Sequence, residues 1–285
     1  SFVSDLDNYV NDIRDCQKRF PRKSRFDGDV VAVSSFDPNS ISGPHGYGTD
    51  NYTAKQTPHS YTVFFENKSS ATAPAHEVFI TDTLDKNKYD LTSFMFGSID
   101  IGDTTLSIMP SSTLSTIADL RPKRNVMVRI QGSVDKTTGI IRWVFESLDP
   151  ASMLPSEDPN GGFLPPNITP PQGEGSVSYI VNVRSSVAHK AQLTNSAQIV
   201  FDANAPLQTN TYSTVIDDRA PTSRVNNMVI VNDSTIILGI TSSDDASGIV
   251  DVVTYMSVND SAFVPITTTT TSNAVFTFFE GGKGK

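Results

Sequence analysis

The sequence predicts an all-β fold of packed antiparallel sheets, and its strongest signal is a strand, a turn and a second strand over residues 61–83. Residues 61–66, YTVFFE, alternate inward and outward positions with the period of two expected of a strand with one buried face. The small, polar, proline-bearing stretch 67–75 predicts a turn. The same order of parts recurs in altered form from Ser178, as expected at the edge of an antiparallel sandwich.

Composition supports this fold. Hydrophobic residues make up 37% of the 285 residues and aromatic residues 9%, which is enough to bury a sizeable core. Charged residues make up only 19%, whereas β-branched and turn-forming residues are frequent, a profile typical of sandwich proteins. The net charge of -9 argues against nucleic acid as a partner and suits a secreted protein that binds cations.

Residues 1–28 are predicted to form a short N-terminal helical segment and linker. Within 4–20 the apolar positions share one helix face, and Pro21 ends the helix. Cys16 is the single cysteine, so an internal disulfide and a Cys/His metal site are excluded. It is either a half-buried thiol beside the apolar face or the partner of a cysteine outside this segment.

Residues 29–216 are predicted to form the first β-sandwich. It begins with a short strand at 29–34, and 125–147 predicts a hairpin that buries Trp143. The Pro/Gly-rich excursion at 150–175 is expected to pack over the sandwich. The apolar residues of this excursion would then cover the open end of the sandwich as a lid. The alternative is that they form an exposed docking patch.

Further strands are predicted at 94–101, 177–184 and 192–201. Residues 217–285 are predicted to form a second domain, because five strand candidates follow one another at spacings of about ten residues. This spacing is typical of an immunoglobulin-like or fibronectin-like sandwich, and we expect this one to be truncated. The predicted fold class is therefore tandem immunoglobulin-like β-sandwich domains with a short N-terminal helix.

Several blocks in this order carry a family resemblance: YTVFFEN (61–67), VFITDTL (78–84), TNSA (194–197) and FDANAP (201–206). They resemble a repeat domain of unknown function found in large secreted and cell-surface proteins, over about residues 30–218 of this chain. The following DDRAPTSRV and SSDDASGI resemble the opening of an immunoglobulin-like module that often accompanies it. The resemblance implies an extracellular structural or adhesive part without catalytic residues.

Acidic and amide side chains cluster at the predicted domain ends and suggest a calcium site at Asp202, Asn204, Asp217 and Asp218. FDANAP is similar to the D-x-N-x-P linker of cadherin repeats, which binds Ca²⁺, and calcium prefers six to eight oxygen ligands. The alternative is that these residues form turns with their own backbone. Calcium is the one cofactor that the sequence suggests.

The sequence contains N-x-[ST] sequons at Asn51, Asn67, Asn167, Asn232 and Asn259. Their predicted loop or strand-end positions are compatible with N-glycosylation if the source is a eukaryote. Asn167 is the poorest acceptor, because a proline directly follows its Thr169.

No pattern in the sequence supports an enzyme. A G-x-S-x-G elbow and a phosphate-binding loop are both absent from it. Glu146 and Asp149 lie near Trp143 as a glycosidase pair might, but a second carboxylate cluster is missing. His59 and His76 could flank one hairpin as a metal pair, although turn or surface histidines are the simpler interpretation.

We therefore expect a structural segment of a long secreted or cell-surface protein that builds an extracellular filament, appendage or surface layer, or an adhesin stalk. The alternative is a carbohydrate- or ligand-binding accessory module of a secreted multidomain enzyme, which an exposed row of aromatic residues would favour. Expected partners are other copies or neighbouring domains of the same protein, and glycans. No apolar run reaches the roughly 20 residues of a membrane span.

Overall fold

The computed structural model of the protein describes residues 38–232, 235–257 and 262–270 and the backbone of 273–277. These residues belong to a unit that spans Asp37–Lys285. The other unit, Ser1–Phe36, lies outside the described residues, together with the predicted helix at 4–20, Cys16 and the predicted strand at 29–34.

The described residues form β-strands and no α-helix, which confirms the all-β prediction. The strands in chain order are β1 Ser40–Ser42, β2 Tyr52–Ala54, β3 His59–Glu66, β4 Glu77–Thr83, β5 Tyr89–Ile101, β6 Thr104–Leu106, β7 Thr113–Asp119, β8 Met127–Asp135, β9 Ile140–Leu148, β10 Glu174–Val183, β11 Gln192–Asn195, β12 Ala197–Phe201, β13 Leu207–Gln208, β14 Tyr212–Asp217, β15 Thr222–Asn232, β16 Thr235–Ser243, β17 Val252–Met256, β18 Val264–Thr269 and β19 Asn273–Thr277.

Three sheets make up the first sandwich. A five-stranded sheet has the order β1-β3-β10-β5-β6, and a six-stranded sheet has the order β13-β12-β4-β9-β8-β7. A third sheet, β11-β14-β2, contains the parallel pair β14 and β2. Strands β3 and β4, which the sequence predicts on either side of one turn, lie in different sheets, so the turn between them carries the chain across the sandwich.

Aromatic side chains fill the space between the five- and six-stranded sheets. The Phe65 ring from β3 lies 5.5 Å from Phe145 on β9. Trp143, also on β9, has its ring centroid 5.4 Å from Phe96 on β5 and 5.8 Å from Tyr179 on β10. Each pair joins the two sheets, so the inward positions of these alternating strands form one apolar core.

The predicted hairpin at 125–147 is confirmed as β8 and β9, which pair antiparallel. Its turn is closed by the Asp135 carboxylate, which accepts the N–H of Thr137 at 2.8 Å. Gly139 has a φ of 85°, and a Cβ there would lie 2.1 Å from the Leu84 carbonyl oxygen. The turn therefore requires glycine for both its backbone conformation and its close contact with the neighbouring loop.

The single strand predicted at 192–201 is wrong, because the chain changes sheets at Ser196. The first part, β11, pairs with β14, and the second part, β12, pairs with β4. Inward and outward side chains alternate without a break from Leu193 to Phe201. The alternation of inward and outward side chains therefore continues although the hydrogen-bonding partner strand changes. For this reason the sequence pattern cannot reveal the change.

The excursion at 150–175 packs against the sandwich, which confirms the lid interpretation. Phe163 and Leu164 have no exposed surface. The Phe163 ring stacks on Phe145 with centroids 5.7 Å apart, and the Leu164 carbonyl accepts the N–H of Ala75 at 2.8 Å. The lid thus closes the core beside the turn between β3 and β4.

The strands predicted after residue 217 are present as β15–β19. They form a three-stranded sheet, β15-β16-β19, and a two-stranded sheet, β17-β18. Leu238 and Ile240 form their small core, against which Ile236, Val252 and Ile266 pack. The division into domains at 216 and 217 stays a prediction.

Trp143 should be the residue whose truncation costs this fold most. It is fully buried, so Trp143→Ala should lower the free energy of unfolding by about 3–5 kcal/mol. Trp143→Phe should cost much less, because the indole N–H has no hydrogen-bond partner among the described residues. Met109→Ala is the matched control, because Met109 is 85% exposed. Urea unfolding measures all three, and an equal loss in Met109→Ala and Trp143→Ala would contradict the assignment.

Candidate functional site

The joint between the first sandwich and the strands that follow is the first candidate site. Strand β14 ends at Asp217 and β15 begins at Thr222, so only residues 218–221 separate them. The Asp217 carboxylate accepts hydrogen bonds from the backbone N–H of Ser247 at 3.2 Å and from its hydroxyl at 2.6 Å. The end of the first sandwich is thereby tied to the loop between β16 and β17.

Asp245 of the same loop gathers three basic side chains. Its carboxylate lies 2.9 Å from the Arg219 guanidinium and 3.3 Å from the Lys190 ammonium. The Nε2 atom of His189 lies 2.9 Å from the same carboxylate. Because His189 Nδ1 accepts the N–H of Asp218 at 3.1 Å, a neutral ring with its proton on Nε2 satisfies both contacts.

The joint restricts orientation more than it adds stability. The Asp245 side chain is 45% exposed, so solvent weakens each of its ion pairs. The side chains that meet at Asp245 nevertheless come from three places: the segment before β11, the linker, and the loop between β16 and β17. A further contact reaches the linker from Lys55, whose ammonium holds the pKa of the Asp218 carboxyl below its ordinary value.

Two of the predicted calcium ligands lie away from this joint. The Asp202 carboxylate accepts the backbone N–H groups of His76 and Glu77, both at 2.8 Å, and Asp202 has a φ of 49°. The N–H of Asn204 donates to the Phe201 carbonyl at 3.0 Å. The Asp202 carboxylate therefore holds the backbone at the start of β4, and the turn that follows β12 is closed by backbone atoms.

Asp217 and Asp218, the other two predicted ligands, lie at the joint beside Ser247 and Lys55. Strand β13 and most of β14 separate them along the chain from Asp202, and the structure does not bring the four side chains together. The described part of the chain contains no group of three or more His, Cys, Asp or Glu residues that could hold a metal ion. Calcium binding stays a prediction.

Two predicted sequons have structural roles that glycosylation would disturb. Asn167 is only 6% exposed, and its amide nitrogen donates to Glu66 at 2.6 Å and to Glu174 at 2.9 Å. The amide nitrogen of Asn67 donates to the carbonyls of Ala73 and Leu164. These side chains fasten the lid, and a glycan on either nitrogen would displace hydrogen bonds that hold it.

The remaining sequons lie elsewhere. Asn51 donates its amide to the Ser213 carbonyl at 3.3 Å and has a φ of 52°. Asn232 lies at the end of the exposed strand β15, and Asn259 lies outside the described residues. Glycosylation at each of the five sequons stays a prediction.

The carboxylates considered as a glycosidase pair are both engaged in structural contacts. Glu146 forms an ion pair with Arg129 at 2.6 Å across β8 and β9. Asp149 accepts the N–H and the hydroxyl of Ser152 in its own turn, at 2.8 and 2.9 Å. Neither carboxylate is positioned as a free acid or base.

A buried polar centre was missed by the sequence reasoning. Asp82 on β4 is 1% exposed and accepts hydrogen bonds from the Tyr179 hydroxyl at 2.6 Å and the Asn195 amide at 3.0 Å. Burial raises the pKa of Asp82 to about 6, although both donors oppose that shift. The sequence did contain a sign of this burial, because Asp82 lies two residues after Ile80 and four after Val78 and so shares their inward face of the strand.

His59 is the other buried ionisable group of this core. It has no exposed surface, its Nε2 atom lies 3.1 Å from the Thr53 hydroxyl, and its ring meets Tyr89 edge-on at 5.9 Å. Loss of solvent lowers the pKa of His59 to about 4, so the ring is neutral in the native protein at pH 7. His76 lies just before β4, and its Nε2 atom is 3.4 Å from the Pro159 carbonyl oxygen. Because His59 contacts Thr53 in the core instead, the two histidines do not form a pair.

Comparisons with known proteins add the following. Residues 160–215 match a family model described as a domain of unknown function, DUF7619, and this stretch lies within the predicted resemblance at 30–218. No curated protein sequence matches the chain.

Several solved bacterial surface proteins share limited structural similarity with the chain. The collagen-binding domain of a Staphylococcus aureus adhesin is 13% identical with a TM-score of 0.34, over 65% of this chain and 100% of that domain. The C-terminal domain of a Streptococcus agalactiae AgI/II polypeptide is 12% identical with a TM-score of 0.37, over 70% of this chain and 60% of that one. The 35 kDa C-terminal fragment of the major pilin of Streptococcus agalactiae is 9% identical with a TM-score of 0.33, over 66% of this chain and 57% of that one. The match thus spans less than two thirds of each streptococcal chain.

The two buried groups should give opposite pH dependences of stability. The unfolded state takes up a proton at His59 near pH 6.5 and the native state only near pH 4, so this group loses stability as the pH falls. Asp82 is protonated in the native state below about pH 6 but in the unfolded state only near pH 3.8, so it gains stability as the pH falls.

Urea unfolding of the parent, His59→Gln and Asp82→Asn at pH 7 and pH 4 tests this. The free energy of unfolding of the parent relative to His59→Gln should fall by about 3 kcal/mol on acidification. Relative to Asp82→Asn it should rise by about 2 kcal/mol over the same interval. Differences that do not change with pH in either comparison would contradict these pKa shifts.

Proposed function

We propose that this chain is a structural segment of a long secreted or cell-surface protein, which builds an extracellular filament, appendage or surface layer or forms the stalk of an adhesin. The observation that carries the proposal is the clamped joint at Asp245, where the linker and two modules meet. A short linker held by side chains from both sides favours an extended rod of modules with a restricted angle between them.

The first sandwich is also built to carry tension along such a rod. Strand β2 near its start and β14 at its end pair in parallel, with Tyr52 opposite Val215. The amide of Asn210 reinforces this connection by accepting the N–H of Ile41 at 2.8 Å and donating to its carbonyl at 3.1 Å. Force that pulls β2 and β14 past each other would load the hydrogen bonds of this parallel pair together instead of one after another.

The described strands of the first sandwich lack the exposed aromatic row that would favour the alternative, a carbohydrate- or ligand-binding accessory module. Phe64 is the one exposed aromatic side chain on the strands of the first sandwich in the described part of the chain, so a row of aromatic residues is not formed there. The described residues also contain no helix that is long and apolar enough to cross a membrane. The proposed partners are further copies or neighbouring domains of the same protein, at an extracellular site or the cell surface.

The joint makes a testable prediction about the domain boundary. Brief digestion with trypsin should cut after Arg219 before it cuts within 125–147, because the linker is exposed and irregular, whereas the hairpin consists of two paired strands joined by a tight turn. Asp245→Asn removes one carboxylate partner of Arg219 and should speed this cut severalfold. Asp251→Asn is the matched control, because it removes an exposed charge from the same module. Equal rates for both variants would refute the role of Asp245.

The proposed function itself is tested on native material. Fibres, sheets or rods with a regular repeat should appear by electron microscopy, and the protein should elute as a large assembly on sizing. Contacts between copies should bury more than about 1,000 Å², the scale of a specific interface. A small, freely diffusing monomer that turns over a glycan or peptide would contradict the proposed function.

A further inference from the structure

A basic concavity lies at one end of the first sandwich. Three segments meet there: the loop between β4 and β5, the turn between β8 and β9, and the chain that follows β10. It has a volume of about 500 Å³ and is lined by Lys86, Asn87, Lys136, Arg184 and Ser186. Three cationic side chains thus converge on a chain whose net charge is -9.

Arg184 is held in place by the backbone. Its Nε atom donates to the carbonyls of Lys86 at 2.7 Å and Tyr89 at 3.0 Å. The two terminal nitrogens of the guanidinium make no hydrogen bond to another residue in the described part of the chain. Arg184 therefore presents a fixed pair of unused donors, the arrangement that binds two oxygens of one anion.

The three carboxylates that lie closest in sequence to these basic residues are each engaged within their own turn. Each accepts a hydrogen bond from its own turn: Asp85 from Asn87 N–H at 2.9 Å, Asp90 from the Thr92 hydroxyl at 2.7 Å and Asp135 from Thr137 N–H at 2.8 Å. The Thr92 hydroxyl holds the pKa of Asp90 below its ordinary value, and Arg184 and Lys136 add to that shift. These carboxylates keep their negative charge, and the Lys86 ammonium donates to the Thr137 carbonyl at 3.0 Å. The concavity is therefore distinguished by the free guanidinium nitrogens of Arg184 and by the Lys136 ammonium, and not by a net positive potential.

We propose that this concavity binds an oxyanion, a sulfate or phosphate group. The guanidinium of Arg184 and the ammonium groups of Lys86 and Lys136 supply charge, and the amide of Asn87 and the hydroxyl of Ser186 supply neutral donors. The ligand is either the free inorganic ion or the same group carried as an ester on an acidic saccharide. The site is independent of the joint at Asp245 and of the proposed structural role.

The test uses the full chain at low ionic strength, where exposed charges act over a longer distance. Sodium sulfate, a sulfated disaccharide and the same disaccharide without sulfate are titrated, with NMR shifts of backbone amides as the readout. Sulfate-dependent shifts are expected at residues 86–87, 136 and 184–186. Lys136→Gln should weaken binding about fivefold, the effect of removing one exposed ion pair.

Lys68→Gln is the matched control. It makes the same charge change on an exposed residue in the turn that precedes β4, whereas the concavity lies after β4. Lys136 is the residue of choice because its ammonium makes no hydrogen bond within the described residues, so its loss should leave the melting temperature unchanged.

Stronger binding of the sulfated disaccharide than of sulfate would support the proposal and identify an ester as the ligand. Equal binding of both would support it with the free ion as the ligand. Absence of shifts at these amides, or equal weakening by Lys68→Gln and Lys136→Gln, would overturn it.

Discussion

The hydrogen-bonded contact among Asp82, Tyr179 and Asn195 connects all three sheets of the first sandwich. Asp82 belongs to the six-stranded sheet, Tyr179 to the five-stranded sheet and Asn195 to the small sheet that contains β14. One oxygen of the Asp82 carboxylate accepts both hydrogen bonds, and the other has no hydrogen-bond partner among the described residues. Because a carboxyl group in an apolar core is costly unless it is hydrogen-bonded, an arrangement of the three strands that broke these two bonds would be disfavoured.

The same contact explains where the chain changes sheets. Asn195 turns inward to reach Asp82, and its side-chain amide oxygen accepts the N–H of the next residue, Ser196, at 3.0 Å. Beyond it, Ala197 pairs with Asp82 across β12 and β4. The switch therefore happens beside the buried carboxylate, which anchors the end of one strand and the start of the next.

Local patterns in the sequence predict those features that local physics determines. The hairpin at 125–147, the burial of Trp143 and the packed lid follow from alternation, turn residues and apolar content. The change of sheets at Ser196 and the crossing between β3 and β4 depend on partners that are distant along the chain, and alternation is the same for either partner. The predicted calcium ligands were grouped because they lie at domain ends, but the Asp202 carboxylate bonds to the backbone at the start of β4. Asp218 pairs with Lys55, 163 residues away.

The sandwich and its joint form one continuous path through the molecule. Asn210 and β14 connect the end of the first sandwich to its beginning, through Ile41 and β2. Where β14 ends, Asp217 bonds to Ser247, and Asp245 binds the basic side chains on the other side of the linker. Strand β14 pairs with β2 and also with β11, which carries Asn195 of the buried polar centre. In the proposed rod, tension that arrives through the linker would reach β14 first, and β14 would pass it both to β2 and, through β11, to the buried polar centre.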